Sequence, residues 1–107
     1  MTRLFWCLAL VCALSSPTSA EEVLQRESAN GSRNLRPFTV KDGWELRWDA
    51  KGATFSVSLY KLNGDPVDQL ASQQKPGPGA SFYPKGGTYY LSIIAGGDWT
   101  VSVVQLP

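Results

Sequence analysis

The chain has 107 residues, with ten Lys or Arg against nine Asp or Glu, and no histidine. Without an imidazole, the commonest general base and the commonest transition-metal ligand are both missing, and a formal net charge of +1, scattered singly along the chain, offers no footprint for nucleic acid or an anionic membrane. Both cysteines, Cys7 and Cys12, lie near the start, so everything after them lacks a thiol nucleophile, a disulfide or a soft metal ligand.

Met1 to Ala20 has the pattern of a secretory signal peptide. Arg3 supplies the positive start, Leu4 to Leu14 the apolar run, and Ser15 to Ala20 a small, polar exit. The run is too short for the roughly 20 residues of a spanning helix, and Val11 is bulky where a lipoprotein signal before Cys12 wants a small residue. The expectation is cleavage after Ala20 and a secreted product, periplasmic or extracellular, that begins at Glu21 and keeps no stable membrane insertion. Loss of Arg3 leaves nine basic residues against nine acidic ones. What remains suffices for one compact domain.

Residues 21–34 are polar, with Val23 and Leu24 the only large apolar side chains, so composition predicts a flexible arm ahead of a domain over 35–107. From Leu35 onward the apolar period is two. Trp44, Leu46 and Trp48 alternate with Glu45, Arg47 and Asp49; Phe55, Val57 and Leu59 with Ser56, Ser58 and Tyr60; Trp99, Val101 and Val103 with Thr100, Ser102 and Val104. Between these runs fall Asp42-Gly43, Asn63-Gly64-Asp65-Pro66, Pro76-Gly77-Pro78-Gly79, Pro84-Lys85-Gly86-Gly87 and Gly96-Gly97-Asp98, all turn formers. The pattern predicts strands near 36–41, 44–50, 53–61, 66–73, 79–83, 87–95 and 98–106. The fold class is all-β, a single antiparallel β-sandwich or jelly roll of about seven short strands.

The predicted core comprises Phe38, Val40, Trp44, Leu46, Trp48, Phe55, Val57, Leu59, Tyr89, Leu91, Ile93, Trp99, Val101 and Val103. The last two strands are expected to form a hairpin whose three-residue Gly96-Gly97-Asp98 loop sets Ala95 opposite Trp99, Ile93 opposite Val101 and Leu91 opposite Val103, which collects apolar residues on one face. The same register turns Tyr90, Ile94 and Val104 outward with Tyr60. Tyr90 then faces Val104 and Ile94 faces Thr100, a small apolar stripe suited to a partner.

Chemistry-bearing alternatives are sparse. The acids Asp42, Glu45, Asp49, Asp65, Asp68 and Asp98 fall mostly in or beside turns, which Asp favours for its own backbone geometry. Asp65 and Asp68 are the nearest pair for a calcium ion, but Pro66 constrains the turn between them. No metal site, catalytic residue or cofactor is therefore expected. Trp44 and Trp48 share a face with Leu46, which suits the inside of the sandwich more than a platform for sugar rings. The loop Gln73 to Gly79 fits either a presented recognition loop or a plain crossover between sheets.

Phe38-Thr39-Val40, Trp44 to Trp48, Phe55 to Tyr60, Gly87-Thr88-Tyr89-Tyr90-Leu91-Ser92-Ile93 and Trp99 to Val103 together resemble, over about residues 36–105, the small secreted bacterial sandwiches of the pre-peptidase C-terminal type. That resemblance implies a jelly roll acting as a bacterial, noncatalytic accessory or binding module. The chain has Thr54, Ser56 and Ser58 where that family often has acidic residues, so the resemblance carries no calcium site over. The expected function is binding without catalysis, through Tyr60, Tyr90, Ile94 and Val104. The expected partner is a protein or an envelope polysaccharide, and not nucleic acid. The alternative is a small carbohydrate-binding module that uses exposed aromatics.

Overall fold

Alternation of apolar and polar side chains fixes which face of each strand is dry, and the turns fix where each strand stops. In the computed structural model, which describes residues 21–107, the result is two antiparallel sheets. The signal-peptide reading falls on residues 1–20, outside the described residues. The nine strands are β1 (Glu22–Asn30), β2 (Arg33–Asn34), β3 (Phe38–Val40), β4 (Trp44–Ala50), β5 (Phe55–Lys61), β6 (Pro66–Gln73), β7 (Gly77–Tyr83), β8 (Gly87–Ala95) and β9 (Asp98–Gln105). The first sheet runs β1-β9-β4-β7. The second runs β8-β5-β6, with β2 and β3 both paired to the outer side of β8.

Trp44, Leu46, Val101 and Val103 from the first sheet pack against Phe55, Val57, Leu59, Leu91 and Ile93 from the second, all nearly or wholly removed from water. Such side chains contribute about 1.5–3 kcal/mol each before conformational entropy is subtracted. At one end Phe38, Trp44, Tyr83 and Tyr89 form an aromatic cluster with edge and tilted contacts; the Phe38 and Trp44 rings are 5.4 Å apart. Buried aromatic N–H and O–H groups find backbone acceptors, as they must in a dry interior. Trp44 Nε1 donates to the Lys85 carbonyl at 2.9 Å, Trp99 Nε1 to Gly31 at 2.7 Å, and the Tyr89 hydroxyl lies within reach of the Lys85 and Gly86 carbonyls.

Two expectations are corrected. Residues 22–30, read as part of a flexible arm, form the edge strand β1, which pairs with β9 from Glu22↔Gln105 to Asn30↔Asp98. Its inward positions Gln25, Glu27 and Ala29 carry little apolar surface, so the strand is held by its backbone ladder and by polar bridges to the other sheet. Gln25 donates to the Arg36 carbonyl at 3.1 Å, and Arg36 pairs with Glu27 at 3.1 Å.

The second correction concerns β8 and β9, which do not form a hairpin. They lie in different sheets: β8 pairs with β5, and β9 with β4 and β1. Gly96 and Gly97 carry the chain between layers, beside the four-residue link, 51–54, from β4 to β5. The two links touch backbone to backbone, with Lys51 N–H donating to the Asp98 carbonyl at 2.8 Å and Gly96 N–H to Thr54 at 3.0 Å. A Cβ on Gly52 would lie 2.8 Å from the Gly96 carbonyl carbon, so glycine is required at this crossing.

Candidate functional site

The outer surfaces of the two sheets differ in chemistry. On the second sheet, β5 turns Ser56, Ser58 and Tyr60 outward and β8 turns Thr88, Tyr90, Ser92 and Ile94 outward, with no charge among them. The ladder pairs Ser56 with Ile94, Ser58 with Ser92 and Tyr60 with Tyr90. Tyr60 and Tyr90 stack, with ring centroids 5.3 Å apart and planes 15° from parallel. Each ring thus uses one face on the other. Ile94 stands 58% exposed at the far end of the same face, and the hydroxyls of Thr88 and Thr39 meet at 3.0 Å at the near end.

The outer surface of the first sheet is charged. Arg47 on β4 donates through Nε to Glu45 at 2.6 Å and spans β9 to hold Glu21 with both terminal nitrogens, at 2.9 and 2.5 Å. Hydrogen bonding to Arg47 holds the Glu21 carboxyl below the usual carboxylate range, and the same contacts raise the Arg47 guanidinium still further above neutrality. Ser102 and Val104, on the strand this bridge crosses, are buried.

Of the four residues predicted to form a partner surface, the structure brings Tyr60, Tyr90 and Ile94 onto one face and removes Val104 from it. Val104 lies on the opposite side of the molecule, between Val23 and Glu45 in register, and is only 1% exposed. Alternation does turn Val104 away from the sandwich interior, but β9 is an inner strand, with Val23 of β1 and Glu45 of β4 directly beside Val104 in register. The pairing of Tyr90 with Val104 and of Ile94 with Thr100 is replaced by Tyr90 with Tyr60 and Ile94 with Ser56. The hydroxyl set Ser56, Ser58, Thr88 and Ser92 was not singled out from sequence, although alternation placed Ser58, Thr88 and Ser92 each two positions from a chosen aromatic.

The other candidates resolve into structural roles. Trp44 is fully buried, while Trp48 is half-buried against Phe55, with ring centroids 6.1 Å apart. The Gln73 to Gly79 segment is a crossover whose last residues belong to β7. Gln73 ties it down: its carbonyl oxygen accepts from Trp48 Nε1 at 3.1 Å, and its amide donates to the Lys75 and Gly77 carbonyls at 3.1 Å. Asp65 is held in its own turn by Asn63, and Asp68 accepts from the next backbone N–H. Among the described residues no three His, Cys, Asp or Glu side chains gather as metal ligands.

Burial raises the Tyr89 phenol above its ordinary range, with smaller contributions from Tyr83 and Asp42. A shallow depression of about 500 Å³ lies beside Asn30 and Asp98, whose side chains hydrogen bond at 2.7 Å, with Lys51 on its rim. Trp99 lines it but is 2% exposed, so it offers no stacking surface there.

In comparisons with known proteins, no family model and no curated protein matches the chain.

Proposed function

We propose that this is a secreted, noncatalytic binding module that engages a protein partner through the outer face of β5 and β8. The observation that carries this reading is the contrast between the two outer faces. One is covered by an Arg and Glu network, whereas the other combines a stacked tyrosine pair, an exposed isoleucine and hydroxyls with no charge among the outward residues of β5 and β8. Charge depletion with aromatic enrichment is the compositional mark of an interface centre. The chain's lack of histidine, and of cysteine after Cys12, supports binding over catalysis.

A second reading, an envelope polysaccharide as ligand, is favoured by the hydroxyls of Ser56, Ser58, Thr88 and Ser92. It ranks lower because Tyr60 and Tyr90 stack on each other instead of lying side by side as a platform for sugar rings.

The test is a photo-reactive benzoylphenylalanine in place of Ser58, irradiated in the cells that produce the protein. The protein reading expects one adduct of defined mass, lost when the probe is moved to Val23 on the opposite face. If no adduct forms, and the protein instead sediments with insoluble polysaccharide in a way that Tyr60→Ala abolishes, the second reading replaces the first.

A further inference from the structure

We propose that the protein self-associates through the free edge of β7, which pairs antiparallel with β7 of a second copy and joins the two four-stranded sheets into one. The described residues leave four sheet edges, and three carry devices that discourage pairing. Strand β6 begins at Pro66, carries exposed Asp68 and is bulged twice against β5. Strands β2 and β3 are two and three residues long and interrupted. Strand β1 is bulged between Val23 and Gln25 and carries Glu22, Arg26 and Glu27. Strand β7 has neither bulge nor charge, and its one edge-facing proline, Pro78, removes a single donor: its seven residues run in unbroken register with β4, from Trp44↔Tyr83 to Ala50↔Gly77. An edge of that kind is a template for another strand.

The backbone groups on offer follow from parity. Lys51 N–H donates to the Asp98 carbonyl on β9, so the odd-numbered residues of β4 bond toward β9 and the even-numbered ones toward β7. Their β7 partners are Gly77, Gly79, Ser81 and Tyr83, leaving Pro78, Ala80 and Phe82 aimed at the free edge. Pro78 fits this assignment, since a residue without an N–H would break the ladder if it faced β4. Setting Ala80 against Ala80 of the second copy lets each Ala80 N–H donate to the other's carbonyl, and each Phe82 N–H donate to the Pro78 carbonyl opposite. The Phe82 ring, 56% exposed in the single chain, then lies beside Pro78 of the second copy.

A second copy suits this edge because no residue of β7 is charged, so pairing over Gly77–Tyr83 sets no like charges opposite each other, and because β7 is the one edge of the described residues left open. An isologous contact at a single open edge closes at two copies and cannot grow into a fibre. A two-fold axis perpendicular to the joined sheet also turns both β5 and β8 faces the same way. If the binding reading above holds, the dimer presents two copies of that face to one partner surface.

Sedimentation velocity on the protein purified from its producing cells, from micromolar to near-millimolar concentration, tests the pairing independently of any partner. The expected result is a reversible monomer and dimer equilibrium. Ala80→Pro removes the free-edge donor without touching the β4 ladder and should weaken the dimer by about tenfold or more. Ala80→Val keeps the N–H and should keep the dimer. Should Ala80→Pro fail to fold, Ala80→Lys decides, because it keeps the ladder but sets like charges opposite each other at the axis. A monomer at every concentration, a dimer indifferent to Ala80→Lys, or larger oligomers would overturn the proposal.

Discussion

Tyr60 and Tyr90 face each other across the β5 and β8 ladder and stack at 5.3 Å with their planes 15° apart. Half-buried phenol rings on the outside of a sheet that pack on each other present a rigid contact patch with little side-chain entropy left to lose on binding. The pair should therefore behave as one unit. Denaturant unfolding of Tyr60→Ala, Tyr90→Ala and the double variant is expected to give a coupling energy of about 0.5–1.5 kcal/mol. Additive losses, agreeing within about 0.3 kcal/mol, would mean the rings do not interact.

The three tryptophans of the sandwich differ in burial and should differ in cost. Trp44→Ala and Trp99→Ala each empty a buried site and strand a backbone carbonyl, so each should lose about 3–5 kcal/mol. Trp48→Ala should cost less, because the ring is only half-buried. A Cβ on Gly79 would land in the Trp48 indole. Gly79→Ala should consequently destabilise the native protein, but become neutral or mildly stabilising in a Trp48→Ala background. Thermal melts of the four proteins check this, and an equal Gly79→Ala penalty in both backgrounds would contradict the packing.

Docking of β1 should be acid-sensitive. The hydrogen bonds from Arg47 lower the folded-state pKa of Glu21. The stabilisation is thus present above the ordinary carboxylate pKa and is lost as pH falls through the lowered value. The effect is small, since the pair is open to solvent. It should appear as lower protection factors, exchange rates being divided by the intrinsic rate at each pH, in residues 22–30 at acid pH, with Glu21→Gln showing the lower protection already at neutral pH. Identical exchange in the two proteins at neutral pH would remove Glu21 from the account.

Much of the sandwich is written in its alternation. Trp44, Leu46, Phe55, Val57, Leu59, Leu91, Ile93, Val101 and Val103 each occupy the dry face that a period of two assigns them. What alternation cannot say is which strand lies opposite. Leu91 and Val103 look alike whether β8 and β9 pair edge to edge or face each other across the core, so a hairpin register that gathers apolar residues is no proof of a hairpin. Strand β1 was illegible for a related reason: Gln25 and Glu27 point inward, and backbone pairing with β9 leaves no hydrophobic signature. The outward direction of Tyr60, Tyr90 and Ile94 was readable. The burial of Val104 was not, because it depends on β1 and β4 lying on either side of β9.

The claim that the β5 and β8 face is the recognition surface is tested most directly by Ile94→Lys, with melting temperature and the photo-crosslink from position 58 measured on the same protein. An exposed side chain at 58% should tolerate the charge within about 0.5 kcal/mol of stability, while an uncharged contact centre should not, so the adduct is expected to disappear with the melt unchanged. An undiminished adduct at unchanged stability would contradict the account, placing the contact away from Ile94.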